Sequence, residues 1–222
     1  MSVRARVPRV KICGITDEAD LDIAAAAGAD AIGLITDVPV DTPREIDRDT
    51  ARAIGDATPP FVDAVLVTMP ETVDAARSLI DAVQPDAIQL HGTIPVDAIA
   101  TLAAEITTIV ATDVEETTRI EETTPVADAI LLDSTDEAGA GGTGATHDWE
   151  RARAIVDQLD TPVMLAGGLT PENVKAAVQD VRPYGVDVAS GVAGQDPARK
   201  DPDAVQRFLA AARTSHAEVE AT

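Results

Sequence analysis

Three short apolar runs in this sequence end in side chains that can do chemistry. Lys11-Ile12-Cys13-Gly14 closes the first, and Lys11 and Cys13, two residues apart, share one face of a strand. Gln89-Leu90-His91-Gly92 repeats that spacing. Ala129-Ile130-Leu131-Leu132 ends in Asp133. A thiol beside an ammonium is a candidate base or nucleophile, because the cation favours the thiolate. The same lone Cys, away from a site, is an inert buried hydrophobe. A carboxyl at the end of an apolar strand either forms a turn or serves as a general acid whose pKa burial raises. His91 suits proton transfer or a hydrogen-bonding role beside the reacting groups. It has no His or carboxylate cluster around it, so no metal is expected. Arg44, in Asp41-Thr42-Pro43-Arg44-Glu45, is either a solvated surface residue or a fork for a substrate carboxylate.

Glycines follow two later runs. Gly167-Gly168 comes after Pro162–Ala166, and Gly191 comes after Ser190. Either pair alone is as readily a tight turn as a binding site. Together, at successive strand ends, they point to a phosphate site, because backbone N–H groups in such turns face an anion. A third segment, Gly139-Ala140-Gly141-Gly142-Thr143-Gly144, has the length to close over a bound phosphate ester.

Elements of two kinds alternate to place these residues. Strands are predicted at Pro8–Cys13, Ala31–Thr36, Val62–Thr68, Ala87–His91, Thr108–Thr112, Ala129–Asp133, Pro162–Ala166 and Gly185–Ser190. Helices are predicted at Glu18–Ala27, Arg48–Ala57, Glu71–Val83, Val96–Glu105, Thr117–Thr123, Trp149–Leu159, Glu172–Val181 and Pro202–Arg213. The strands read as continuous apolar runs, as strands covered on both faces do. Thr170-Pro171-Glu172 and Asp201-Pro202-Asp203 each place a capping residue before a first-turn proline. Gly28 stands where a helix ends. Strict alternation through eight units, with no linker or shift in composition, predicts one α/β domain over residues 1–222, a (β/α)8 TIM barrel, with 214–222 as a frayed tail. A doubly wound sheet is the alternative. In the barrel, the chemistry-bearing residues sit at the strand C-termini, where active sites form.

Composition narrows the function further. The formal charge is −22, from 17 Lys+Arg against 39 Asp+Glu, and only Lys11, Lys175 and Lys200 are lysines. No basic stripe is available to follow phosphates, so nucleic acid is not an expected partner. No apolar run reaches membrane-span length, and the N-terminus lacks the apolar core of a secretory signal. One Cys excludes an internal disulfide. The expected setting is the cytoplasm, and the acids spread along the chain predict adaptation to a salt-rich one, where screening removes their repulsion.

At these residues the chain resembles the phosphoribosylanthranilate isomerases. The resemblance is carried by Val10-Lys11-Ile12-Cys13-Gly14-Ile15-Thr16, by Gly28-Ala29-Asp30-Ala31-Ile32-Gly33, by Thr42-Pro43-Arg44 and by Gln89-Leu90-His91-Gly92. It continues in Leu131-Leu132-Asp133-Ser134, Gly141-Gly142-Thr143-Gly144, the segment from Ala166 to Val174 and that from Val181 to Val192. The resemblance implies a cofactor-free Amadori rearrangement of N-(5′-phosphoribosyl)anthranilate in the tryptophan pathway, by a monomer or homodimer. It implies Cys13 as general base, Asp133 as general acid and Arg44 on the anthranilate carboxylate. Gln89, His91 and Asp187 are then expected to meet the substrate, Asp187 near the ribose. Gly142, Gly144, Gly167, Gly168, Ser190 and Gly191 are expected to hold the phosphate. The chain departs from the family pattern in ending its second strand with Leu34-Ile35-Thr36 where aromatics are common, and in Ala193 where an acid is usual. Indole-glycerol-phosphate synthases and ribulose-phosphate epimerases are the competing barrels. The first needs further catalytic Lys and Glu, and the second needs several metal-binding His. A barrel that binds a phosphorylated metabolite without turnover is the non-catalytic alternative, which the Cys13 and Asp133 pairing argues against.

Overall fold

The computed structural model describes residues 7–133 and 146–214. Eight parallel strands close into a barrel in the order of the chain. They are β1 (Arg9–Cys13), β2 (Ala31–Ile35), β3 (Asp63–Thr68), β4 (Ala87–Leu90), β5 (Thr107–Thr112), β6 (Ala129–Asp133), β7 (Val163–Ala166) and β8 (Gly185–Val188). The helices between and after them are α1 (Glu18–Ala27), α2 (Arg48–Ala57), α3 (Val73–Val83), α4 (Val96–Ala103), α5 (Thr117–Thr123), α6 (Thr146–Gln158), α7 (Val174–Val181) and α8 (Pro202–Thr214). Each predicted element is present, with its ends within a few residues of expectation. Pairing of β1 with β8 closes the ring and excludes the doubly wound sheet.

Strand residues divide by period two into two cores. Val10, Ile12, Ile32, Leu34, Leu66 and Ile88 face outward and pack under the helices. Cys13, Val65, Val67, Ala87, Ile109, Ala111, Leu131, Met164 and Ala166 fill the barrel interior. Burial of both faces explains why the strands read as unbroken apolar runs. The exceptions are informative: Lys11, Gln89 and Asp187 are buried polar side chains of β1, β4 and β8.

Local signals set the helix ends. Asp17 caps α1 by accepting from Asp20 N–H, and Gly28 ends it in the left-handed region at φ +87°. Asp201 accepts from Ala204 N–H at 2.9 Å, as its place before Pro202 predicts. The start of α7 differs from expectation. Thr170-Pro171-Glu172 forms a separate turn, and the helix begins at Val174. Asn173 is the cause: its side chain accepts from Thr170 N–H and donates to the Gly168 carbonyl, both at 2.8 Å, so it closes a loop before the helix starts.

Candidate active site

Every described candidate residue lines one cavity of about 310 Å3 at the C-terminal end of the barrel. Cys13 reaches it from β1, Gln89 and His91 from the end of β4, Asp133 from β6 and Asp187 from β8. Gly167 and Gly168 border it after β7, and Ser190 and Gly191 border it after β8. Gly142 and Gly144 lie outside the described residues. The size suits a metabolite. The wall between the polar groups is aliphatic, including Ile35, Val67 and Leu131.

The β1 end holds a buried ionic cluster. Lys11 Nζ donates to both carboxylate oxygens of Asp187 at 3.0 Å. The ladder sets Lys11 opposite Asp187, which is why residues 176 positions apart in sequence meet. Burial alone would lower the ammonium's pKa. The charges of Asp187 and Cys13 outweigh it, and the net shift is upward. Cys13 is pushed up by burial, with Lys11 and Lys200 opposing. Lys11 pulls toward the thiolate, as its place beside Cys13 predicts, and burial works against it. Burial exceeds the cations' pull, and the thiol keeps its proton at neutral pH in the free protein. Gly33 on β2 makes the room for this pair, since a Cβ there would stand 2.7 Å from Cys13 Sγ and 3.0 Å from Lys11 Nζ.

Asp133 sits on the far arc of the ring, separated from β1 by β7 and β8. Its carboxyl is raised to about 6, first by burial, then by the charges of Asp187 and Asp113, with Lys11 opposing. It therefore holds a proton further toward neutrality than a solvated aspartate. His91 is lowered to about 4 by burial and then by Lys11, so it is neutral at physiological pH. Its Nε2 lies 2.8 Å from Gln89 Nε2, which makes His91 Nε2 the acceptor of that hydrogen bond. Gln89 Oε1 is then a buried acceptor without a protein donor among the described residues.

Arg44 is placed by a loop that folds back on β2. Ile46 N–H donates to the Ile35 carbonyl at 2.9 Å, which brings the loop over the barrel mouth. The Arg44 chain lies across Gly14, where a Cβ would stand 2.6 Å from Arg44 Cδ. Its Nη1 donates to the Pro197 carbonyl at 3.1 Å, while Nε is buried without a partner among the described residues. The glycine turns also converge. A Cβ at Gly191 would stand 1.8 Å from the Leu169 carbonyl oxygen, so only glycine lets the loops after β7 and β8 touch. Gly167 and Gly168 have φ of +80° and +60°. Ser190–Val192 forms one 3-10 turn. The turn over 170–173 sets the α7 terminus back from these glycines.

Sequence reasoning missed Gly33 and Lys200. Gly33 lies mid-strand in an apolar run, and a glycine in a strand interior is itself a signal of close approach. Among the described residues no cluster of His, Cys, Asp and Glu is placed to hold a metal ion, and no helix is long and apolar enough to cross a membrane.

Comparison with known proteins places this arrangement. Residues 10–211 match the family model described as N-(5′-phosphoribosyl)anthranilate (PRA) isomerase. The N-(5′-phosphoribosyl)anthranilate isomerase of Haloferax volcanii is 53% identical over 96% of both chains. The crystal structure of phosphoribosyl anthranilate isomerase from Thermotoga maritima superposes with a TM-score of 0.82 at 37% identity, covering 93% of this chain and 99% of that one. A phosphoribosyl anthranilate isomerase in complex with reduced 1-(o-carboxyphenylamino)-1-deoxyribulose 5-phosphate superposes at 0.79 with 35% identity over 93% and 99%.

Proposed function

The chain belongs to the N-(5′-phosphoribosyl)anthranilate isomerase family, and from that premise we propose that Cys13 and Asp133 carry its reaction as base and acid. The reaction is the isomerisation of N-(5′-phosphoribosyl)anthranilate to 1-(2-carboxyphenylamino)-1-deoxyribulose 5-phosphate in tryptophan biosynthesis. Protonated Asp133 gives its proton to the ribose ring oxygen as the bond from C1′ to that oxygen breaks. The anthranilate nitrogen supplies electron density, and an iminium forms. Cys13 as thiolate removes the proton from C2′, leaving an enolamine. Tautomerisation then gives the ketone at C2′ and a methylene at C1′. C1′ is reduced and C2′ oxidised within one molecule, so no external electron carrier enters.

The observation that carries this reading is the meeting of Cys13 and Asp133 at one cavity from separated strands, with both glycine turns on its rim. Separation around the ring lets the two groups approach a sugar from different sides. The phosphate rests on the turns after β7 and β8, joined by Gly142 and Gly144. Arg44 takes the anthranilate carboxylate, which suits a buried Nε that has no partner among the described residues. Gln89 Oε1 accepts from a sugar hydroxyl, with neutral His91 holding its amide in place. Asp187, tied to Lys11, stands near the ribose. The reading takes 1–222 as a single domain that works in a salt-rich cytoplasm as a monomer or homodimer. Its partner is a small phosphorylated substrate, with no nucleic acid, membrane or cofactor.

The test is to generate phosphoribosylanthranilate in situ and follow loss of its anthranilate-type fluorescence in molar KCl. Acceleration by wild type and its absence in Cys13→Ser and Asp133→Asn are expected. Wild-type rates in either variant would remove that residue from its role.

A further inference from the structure

Lys200 is a buried cation that the steps above do not use. It lies in the loop between β8 and α8 and is only 5% exposed. Its Nζ donates to the Cys13 carbonyl at 2.6 Å and to the Ala189 carbonyl at 3.2 Å. Those carbonyls stand one residue past the last registered pair of β1 and β8, Ile12 with Val188. The ammonium thus takes over where the ladder between these strands stops. Among the described residues no carboxylate forms an ion pair with it. A lysine that served only to fill space would more cheaply be an apolar residue, because burying a charge against carbonyls costs desolvation.

The surrounding loop is anchored at the other end of the lysine. Lys200 N–H donates to Asp20 Oδ1 at 3.1 Å, and Arg199 Nε reaches the same oxygen at 3.3 Å. Asp20 is fully buried at the start of α1, and its Oδ2 lies 3.1 Å from the Thr16 hydroxyl. That hydroxyl shares its single hydrogen between Asp20 and the Ala198 carbonyl, also at 3.1 Å. The next carbonyl back, that of Pro197, holds Arg44. One loop therefore touches the backbone of the thiol residue, the end of β8 and the guanidinium expected to bind the substrate carboxylate.

We infer that Lys200 is a positioning residue for the isomerisation, fixing the Cys13 backbone at the β1–β8 seam and setting a positive charge beside the thiol. The inference rests on the reading of Cys13 as the base. The groups facing Cys13 are Lys11 from its own strand, Asp187 from β8 and Lys200 from the loop beyond. From β2 comes only Gly33, which has no side chain. Arg44 lies beyond Lys200, and Asp20 lies below it on α1. Burial, with Arg44 adding, lowers the Lys200 ammonium to about 8 against the charges of Cys13, Asp20 and Asp187, and it stays charged at neutral pH.

The chain has a single Cys, so alkylation by iodoacetamide reports Cys13 alone. Lys200→Met keeps the length of the side chain and removes the charge. In molar KCl at pH 7, where the ammonium is charged, its alkylation is expected to be slower than that of wild type, since thiolate reacts and a nearby cation favours thiolate. Its kcat is expected to fall on the order of tenfold or more, with KM changing less. Lys200→Arg, which keeps a buried cation, is expected to return the alkylation rate at pH 7 while leaving kcat below wild type, because a planar head does not reproduce the ammonium's two contacts. A lower melting temperature with wild-type alkylation and kcat would make Lys200 purely structural and overturn the inference. If Lys200→Met does not fold, Lys200→Arg decides it, and a wild-type kcat there overturns it. Full activity in Cys13→Ser would instead remove the base reading, while the alkylation comparison still tests where Lys200 acts.

Discussion

At the N-terminal end of the barrel, Asp30, Asp86 and Asp128 each stand immediately before an even-numbered strand. Each accepts from the backbone of the strand before it: Val10 N–H at 2.9 Å, Ala64 N–H at 2.8 Å and Thr108 N–H at 2.8 Å. At the C-terminal end, Asp133 has no hydrogen-bond donor among the described residues, and Asp187 is held by a lysine that also faces the thiol. The same residue type closes backbone groups at one end and is left available at the other. A carboxylate that accepts backbone N–H groups adds stability. A buried one without donors holds its proton more tightly, at a cost to the folded state when ionised. The two ends divide stability and chemistry between them.

Substitutions at each end test that division. Asp133→Asn is expected to lower kcat by about 10²–10⁴-fold, the usual worth of a general acid. Its stability should move the other way. Folding raises the Asp133 pKa, so this group favours the folded state below the ordinary carboxylate range, and that contribution is lost as pH rises to about 6. At neutral pH the ionised group disfavours folding, and the Asn variant should melt at or above the wild-type temperature. A lower melting point would place Asp133 with the structural aspartates. Arg44→Ala is expected to lower kcat/KM by tens- to a hundred-fold, equivalent to about 2–3 kcal/mol for a lost charge-assisted contact. A substrate analogue lacking the anthranilate carboxylate should not feel the change. Equal activity on the normal substrate would return Arg44 to the surface.

Asp30→Ala is the converse of Asp133→Asn. It removes the acceptor of Val10 N–H and partners of Arg9 and Arg213. A loss of about 1–2 kcal/mol in urea unfolding is expected, with kcat per folded molecule unchanged. A matching fall in kcat would show that the ends are coupled. The smallest expected effect is that of salt. Asp63, at the same end, is raised by burial and then by Asp86, with Arg9 opposing and Asp30 adding. With a net charge of −22 across the chain, the melting temperature should rise by several degrees as KCl goes to molar concentration and the Debye length falls to about 3 Å. A flat or falling midpoint would reject salt adaptation.

The fold was legible because the strands are buried on both faces and read as short Val- and Ile-rich runs, while the helices are longer, Ala-rich and charged, so composition and length separate them. The site was legible at strand ends, where Cys13, His91 and Asp133 interrupt apolar runs. What stayed hidden depends on contacts far apart in sequence. Lys200 looks like a loop lysine until the loop packs under β1, 187 residues away. The start of α7 was misread because a side chain, Asn173, turns back to close the preceding loop. Asp-Ala-Ile at 30–32, 86–88 and 128–130 stands at the clamped end of the barrel, while the same triplet at 97–99 lies in α4, so its meaning appears only with strand pairing. Asp187 looks like a lone acid in an apolar strand until the register sets it opposite Lys11.

The most direct test of the central claim is the pH dependence of kcat/KM in wild type, Asp133→Asn and Cys13→Ser. Activity needs Asp133 protonated and Cys13 ionised, yet the acid titrates near 6 and burial holds the thiol above its ordinary value. The competent form is then a minor species between the two values, and the profile is a broad bell. The limb near pH 6 reports the carboxyl and the alkaline limb reports the thiol, the reverse of a simple acid–base assignment. In Asp133→Asn the break near 6 is expected to vanish, the rise continuing to the thiol's value with no alkaline fall, and in Cys13→Ser the residual activity is expected to fall from about pH 6 upward. An Asp133→Asn profile that keeps its break near pH 6, with kcat/KM close to wild type, would contradict the account.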